Sequence, residues 1–306
     1  MRIFGATKID FVGKRKKAFL VSMILIIVGF VSLIMPGIKY SIDFAGGTSI
    51  ELDLTVEGVP DVEVAALRKA LKEDGFEDVE IQNVEKYFLI RLNTAENSGE
   101  RGTKLIESVK RHFPDNIGGN LIRMQEAVGP KIGGELKSKA VWAIFYSLLG
   151  IILYIWFRFQ FTFGVAAVIA LFHDVIITLG ILNIIGVEIS IGVVAAVLTI
   201  IGYSLNDTIV VFDRIREDLK VYRRESYESV INHSINETLS RTIITSLTTF
   251  LVVVSLLIFG GKAISDIAVT LLIGVICGTY SSIFVASPIM VEYFNRQLKK
   301  KGLKRG

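Results

Sequence analysis

The chain has 306 residues, 34 Lys and Arg against 30 Asp and Glu, and a hydrophobic share of 51%. Five long apolar runs crowd into residues 140–291 and leave too little polar surface to solvate a water-exposed fold, which excludes a soluble globular enzyme. The single cysteine, Cys277, excludes an intrachain disulfide; no Cys/His metal constellation is visible, and neither Gly13-Lys14 nor Gly261-Lys262 completes a phosphate-binding loop.

Residues 1–17 carry six Lys/Arg and precede the first apolar run, 18–38. That run is longer than the roughly 7–15 residues of a signal-peptide core, and no small-x-small cleavage pattern follows, so it reads as an uncleaved anchor. A helix needs about 20 mainly apolar residues to cross the hydrocarbon layer. The runs 140–157, 159–187, 189–212, 242–261 and 267–291 meet that length, and the second and third of these do so only by carrying an acid inside. The expected layout is a cytoplasmic N-terminus (1–17), a first span (18–38), an outer domain (39–137), a five-helix membrane bundle (138–291) with a cytoplasmic loop at 213–240, and a basic cytoplasmic tail (292–306). The loop and the tail carry five and six Lys/Arg, so basic charge gathers on one side, as the positive-inside rule requires. This distribution accounts for the net charge of +4 without nucleic acid. It makes the chain a multi-pass protein of the inner membrane, in contact with lipid, with both termini cytoplasmic and residues 39–137 periplasmic.

Within 39–137 the apolar spacing becomes periodic. Ile50, Leu52 and Leu54 alternate as in a half-buried strand, and Val64, Leu67, Ala70 and Leu71 share a helical face, with Asp61 as expected N-cap and Gly75 as stop. Val79, Ile81 and Val84 predict a second strand and residues 87–92 a third, with the turn near Glu85-Lys86. Leu105, Ile106, Val109 and Phe113 predict a second helix ended by Pro114, and residues 119–128 a last strand. The order β-α-β-β-α-β is that of an α+β ferredoxin-like domain, a fold that hosts many functions. It holds no nucleophile motif, no carboxylate–histidine pair and no basic stripe, so neither an enzyme nor a cofactor is expected. Gly46, Gly47, Gly129 and Pro130 flank the domain as candidate hinges or ordinary turns.

The informative residues lie inside the spans. A charge at the centre of a membrane helix costs about 2.5–3.5 kcal/mol on insertion scales, so such residues face the bundle interior, pair, or carry protons. Asp174 sits mid-span beside His173, Asp207 lies about a turn and a half from the cytoplasmic end of its span, and Arg241 starts the next. Asp207 and Arg241 fall at similar depth, so an ion pair is possible, and Tyr203, Asn206, Thr242, Thr245, Ser246, Thr248 and Thr249 add polar groups nearby. Pairing with arginine and protonation exclude each other at a carboxylate, which makes a switch; the simpler reading is that these charges pin helices together. Gly274 and Gly278 have the GxxxG spacing of close helix packing.

Five segments together resemble one family: DFAGGT at 43–48, VGP at 128–130, FHD at 172–174, GYSLNDTIVVFDRIRE at 202–217 and RTIITSLTT at 241–249. They are similar to the SecF family, whose members pair with SecD in a twelve-helix unit of the resistance–nodulation–division superfamily. The resemblance implies a partnership with SecD, the Sec translocation channel and a translocating preprotein. It implies that the proton motive force, or sodium in some bacteria, helps to pull exported chains across the membrane. It also implies that Asp207 and Arg241 are the coupling acid and arginine and that Gly46 and Gly47 are the family's glycine pair; the residues themselves add Asp174 and Asn206 as further ion-coupling candidates. The alternatives are a small-molecule efflux subunit of the same superfamily, which would need a drug-sized cleft, and a non-transporting scaffold.

Overall fold

The computed structural model describes residues 7–35, 37–77, 79–84, 87–92, 98–159, 161–300 and 302. In chain order the elements are α1 (Arg15–Ile34), α2 (Ile42–Ala45), β1 (Gly47–Leu52), α3 (Val64–Glu73), β2 (Val79–Val84), β3 (Tyr87–Leu92), α4 (Ser98–His112) and β4 (Ile122–Val128). There follow α5 (Pro130–Arg158), α6 (Phe161–Ile184), α7 (Ile191–Val221), α8 (Tyr227–Phe259), α9 (Lys262–Ser281), a π turn over Ser282–Ala286, and α10 (Ser287–Lys300). They form two compact units, Tyr40–Trp142 and Met1–Lys39 with Ala143–Gly306. The expected turn at Glu85-Lys86 and the end of the basic tail lie outside the described residues.

In the smaller unit the four strands make one antiparallel sheet in the order β2-β3-β1-β4. With α3 and α4 between strands this is the ferredoxin-like arrangement expected from the sequence. Ile50 pairs with Ile90 across β1 and β3, and both are fully buried with Leu52, Leu67 and Leu105. The alternating spacing of β1 and the 3.6-residue spacing of α3 and α4 thus converge on one apolar core. Two details differ from expectation. Glu63, in an extended conformation, occupies the cap position of α3 and makes no side-chain cap bond, so Asp61 lies too early to act. The short helix α2 was not expected; Ser41 caps it by accepting from the Asp43 N–H. The stop at Gly75 holds: φ is +85°, and the Gly75 and Phe76 amides bond to Lys72 and Leu71 carbonyls in a glycine C-cap.

Among the described residues six helices are long and apolar enough to cross a membrane, α9 and α10 counting as one run, Ile264–Lys300. The chain is a multi-pass membrane protein. Close helix approach rests on small residues. A Cβ on Gly180 would lie 2.3 Å from Gly29 Cα, so α6 and α1 touch backbone to backbone; a Cβ on Gly274 would fall 2.2 Å from Ile200, and one on Gly278 2.8 Å from Ser204, which brings α9 onto α7 as the GxxxG spacing predicts. Pro288 has no N–H to give to the carbonyl four residues back, and the adjoining turn widens to the π form, with Ser287 Oγ donating to the Ser282 carbonyl at 2.8 Å.

The stretch expected as a loop at 213–240 is instead helical except between Val221 and Tyr227. Ser226 caps α8 by accepting from the Ser229 N–H. The two charged extensions are clamped together: Arg214 pairs with Asp218 at 3.1 Å and with Glu237, and Ser234 Oγ donates to Asp218 at 2.7 Å. The segment before α1 is strapped to the same hairpin, because Asn232 and Asn236, one turn apart on α8, accept from the Phe11 N–H (2.8 Å) and the Ile9 N–H (2.9 Å). Both asparagines also donate to the Ile9 carbonyl.

Candidate intramembrane charge site

Two buried carboxylates organise the interior of the larger unit. Asp207, on α7, is 3% exposed. Its carboxylate accepts from Ser246 Oγ at 3.3 Å and from Thr245 Oγ1 at 3.5 Å, both on α8, and Thr279 Oγ1 of α9 donates to Ser246 at 2.7 Å. The acid therefore joins three helices through neutral hydroxyls. The buried Tyr203 and Thr242 hydroxyls have no hydrogen-bond partner among the described residues, so this part of the interior is more polar than its satisfied bonds account for.

Arg241 begins the apolar part of α8 yet is exposed on this chain and forms no ion pair with any described residue. The ion pair allowed by matching depth is absent here. Depth along the membrane does not fix the direction in which a side chain leaves its helix. The same geometry separates Asn206 from Asp207, because consecutive helical residues point about 100° apart. Asn206 is exposed while Asp207 faces inward. Arg241 and Asn206 thus lie on the outer surface of the chain, together with large apolar side chains such as Trp156, Phe157 and Phe259.

Asp174, on α6, is 1% exposed and His173 beside it 3%. Asp174 Oδ2 accepts from Ser204 Oγ of α7 at 2.6 Å and from Ser281 Oγ of α9 at 2.7 Å, while Oδ1 lies 2.9 Å from His173 Nδ1. His173 Nε2 lies 3.2 Å from Ser22 Oγ of α1, and the His173 ring stacks on Tyr280. Sequence reasoning found the acid and the histidine but missed Ser22, Tyr280 and Ser281. The available signal was the cost of a hydroxyl inside an apolar run, which demands a partner; it does not name a partner on another helix.

The candidate hinge residues have defined places. Gly46 and Gly47 have φ of +77° and +129°, and a Cβ on Gly47 would meet the Leu92 carbonyl at 2.4 Å. Gly47 pairs with Val128, and Gly46 packs against Pro130, the first residue of α5. Proline suits that position, where its missing N–H leaves no helical bond unmade. The two strands by which the chain enters and leaves the sheet are therefore tied to each other at these residues.

A third cluster bears on the expectation of no metal constellation. Donor atoms of Asp218, His233 and Glu237 lie within 4.8 Å of one another. The Arg214 guanidinium already engages both carboxylates, and its positive charge opposes a cation there.

Comparison with known proteins agrees with this architecture. Residues 109–296 match the family described as protein export membrane protein SecD/SecF, C-terminal, and residues 31–55 match the SecD/SecF GG motif. The chain is 44% identical to the protein translocase subunit SecF of Desulfurispirillum indicum, over 95% of each chain. It is 41% identical to that of Rhodothermus marinus, over 99% of each. Among solved structures it resembles SecDF of Thermus thermophilus, a translocon-associated membrane protein, with a TM-score of 0.84 and 41% identity. The match covers 95% of this chain but 39% of that one, so this chain spans about two fifths of the SecDF polypeptide. With six membrane helices, one inserted ferredoxin-like unit and this similarity over nearly its whole length, the chain belongs to the SecF family of protein translocase subunits.

Proposed function

We propose that this chain works with SecD beside the Sec translocation channel and uses the proton motive force to promote export of preproteins across the inner membrane. The observation that carries this reading is Asp207, a carboxylate buried among α8 hydroxyls, with Arg241 near but unpaired on the outer surface. An acid in such a place takes up and releases a proton at the cost of rearranging its helix contacts, and an unpaired arginine on a membrane-facing surface calls for an anionic partner on another chain. The exposed apolar faces of α5 and α8 suit the same partner, a second set of helices supplied by SecD. One proton crossing the field gains about 2.3 kcal/mol per 100 mV, enough to bias a conformational equilibrium more than tenfold.

In this reading the termini and the α7–α8 hairpin are cytoplasmic and the ferredoxin-like unit is periplasmic, as the basic segments favour. The Gly46-Gly47 and Gly129-Pro130 joints move together as the lever through which the membrane helices act on that unit. The efflux alternative has no comparable support, since the similar proteins are translocase subunits.

The test is export driven by the membrane potential in vesicles. Asp207→Asn and Arg241→Met are expected to abolish the potential-dependent stage while the protein still inserts and co-purifies with SecD. Undiminished export with either substitution would overturn the proposal.

A further inference from the structure

The Asp174–His173 cluster has a property that the Asp207 site lacks: its hydrogen bonds fix its proton count. Tyr280 Oη lies 3.0 Å from the Ala18 carbonyl, which can only accept, so the single Tyr280 proton is committed there. Ser22 Oγ lies 3.3 Å from Tyr280 Oη, and the Ser22 proton must fill that bond. Ser22 then has only lone pairs to offer His173 Nε2, so Nε2 carries a hydrogen and donates. With Nε2 protonated, the contact between Nδ1 and Asp174 Oδ1 contains a proton in either of two forms. Either the histidine is doubly protonated beside a carboxylate, or a neutral histidine accepts from a protonated acid. Both forms have the same composition and zero net charge.

The electrostatic surroundings point the same way. On the helices packed around Asp174, the titratable groups on turns close to its partners are Tyr203 and Asp207 on α7, flanking Ser204, and Cys277 and Tyr280 on α9; α10, which also packs on α6, carries Glu292, Tyr293, Arg296, Lys299 and Lys300 beyond its first turn. No Lys or Arg occurs in α6, in α7 before Arg214, in α9 after Lys262, in the π turn, or in α1 beyond Lys17. Among the described residues His173 is the only basic side chain in ion-pair contact with Asp174, so it is the group placed to offset an Asp174 charge in a water-poor interior, where a lone charge is costly.

We propose that Asp174 and His173 form a second proton-binding site, distinct from Asp207, which holds one proton while α1 is docked on it. Release is balanced as follows. The proton leaves His173 Nε2 to water, the proton in the Nδ1–Oδ1 contact stays on Nδ1 so that the histidine donates to the carboxylate, and the pair goes from neutral to a charge of −1. Ser22 turns to donate to Nε2, Tyr280 turns to donate to Ser22, and the Ala18 carbonyl loses its partner. Ser204 and Ser281 continue to donate to Asp174 Oδ2 and support the anion. Loading the site thus adds a bond between α1 and α9, and emptying it removes one. Elsewhere α1 is held to α6 by the Gly29–Gly180 contact and by Asn183 Nδ2 donating to the Ser32 carbonyl at 2.6 Å. The site is a proton-dependent latch on α1, the helix that leads directly into the ferredoxin-like unit. Its use in transport rests on the ion-coupled reading above; its proton count rests on the hydrogen bonds alone.

The experiment uses the full-length chain with SecD in lipid bilayers. Infrared spectroscopy reads a protonated Asp174 carboxyl, assigned by its absence in Asp174→Asn, and nitrogen-15 NMR reads the protonation of His173. The expected result at pH 7 is the loaded pair, with one proton more than a neutral histidine beside a carboxylate, seen either as the acid band or as a doubly protonated imidazole. Tyr280→Phe frees the Ser22 proton for Nε2, so the signal is expected to vanish at a pH at least one unit lower than in the unaltered protein. A neutral His173 with bare Nε2 beside an ionised Asp174 at pH 7 would overturn the proposal, as would an unchanged midpoint in Tyr280→Phe. If Asp174→Asn fails to accumulate, the histidine spectrum and Tyr280→Phe still decide the matter. An intact Asp174 signal together with normal export by Asp207→Asn sinks the ion-coupled reading and leaves this site standing.

Discussion

The two units of this chain differ in what they bury beside their apolar cores and in what they turn outward. The ferredoxin-like unit closes around Ile50, Leu52, Leu67, Ile90 and Leu105, and places its charges at the rim. The helical unit turns large apolar side chains outward and buries Asp174, Asp207, Ser204, Ser281 and Thr242 within it. The solvent explains the difference. In water, apolar burial drives folding, by about 25 cal/mol per Å². In lipid the surroundings are as apolar as leucine, so helices associate through small-residue contact and polar bonds. A buried carboxylate in the first unit would be an anomaly, whereas in the second it is where structure and proton chemistry meet.

The sharpest way to break this contrast is to remove the same kind of side chain from each unit. Leu67→Ala empties a fully buried site and is expected to destabilise the ferredoxin-like unit by about 2–5 kcal/mol. Leu20→Ala, on the exposed face of α1, is expected to leave helix association unchanged. Urea unfolding followed by hydrogen exchange in the full-length protein measures the first, and cross-linking between α1 and α6 the second. Equal losses at the two sites would mean that apolar burial drives both units alike.

Next in size is Gly180→Ala. The new methyl would meet backbone rather than a flexible side chain, 2.3 Å from Gly29 Cα, so the helices must separate. A cost of about 1–3 kcal/mol is expected from overpacking. It should appear as weaker cross-linking between cysteines placed at Ser32 and Asn183, which touch in the unaltered chain. Gly134→Ala is the control, since a Cβ there meets open space.

These examples also show what was legible in the sequence. The six spans and the β-α-β-β-α-β order were, because run length and spacing are local properties. The GxxxG contact of α9 was, because four-residue spacing places two glycines on one face. The helical hairpin at 213–240 was not, because its charges suggested solvent contact and the Arg214–Asp218–Glu237 clamp joins residues on two helices. The Asp174 cluster was half legible: His173 is its neighbour in sequence, but Ser22 is 151 residues from His173 and Tyr280 is 258 from Ser22. Arg241 misled in the other direction, because depth can be read along a sequence and the azimuth of a side chain cannot.

A smaller effect is expected at Thr279→Val, which removes the bond from α9 to Ser246 beside Asp207. Interhelical hydrogen bonds in membranes are worth about 0.6 kcal/mol on average and about 1.7 at most. Unfolding in bicelles should therefore register a loss within that range. A larger loss would show that the hydroxyls around Asp207 hold the bundle together as a network, and the pinning role of the charge site would then outweigh its coupling role.

The smallest effect lies at the rim of the ferredoxin-like unit, and it separates the two units by pH. Ser108 Oγ donates to Asp74 at 2.5 Å, with Arg111 and His112 beside the same oxygen at 3.7 and 3.3 Å. The unit thus does hold a carboxylate–histidine contact, which the sequence hid because the two residues lie at the ends of different helices. The serine bond first, then the neighbouring cations, hold the Asp74 carboxyl below its ordinary value. A carboxyl depressed in the folded state adds stability above its unfolded value and loses that contribution as pH falls through its folded value. Asp74→Asn should therefore unfold at slightly lower urea than the unaltered protein at pH 7. The gap should close as pH falls below the ordinary carboxylate range, and raised salt should shrink it because the cations are exposed to water. Salt should leave the Asp174 and Asp207 sites untouched, since their partners are neutral hydroxyls and a buried histidine. If salt weakened those sites as much as the Asp74 rim, water would have to reach both carboxylates freely, and the distinction between a solvated rim and a dry interior would fail.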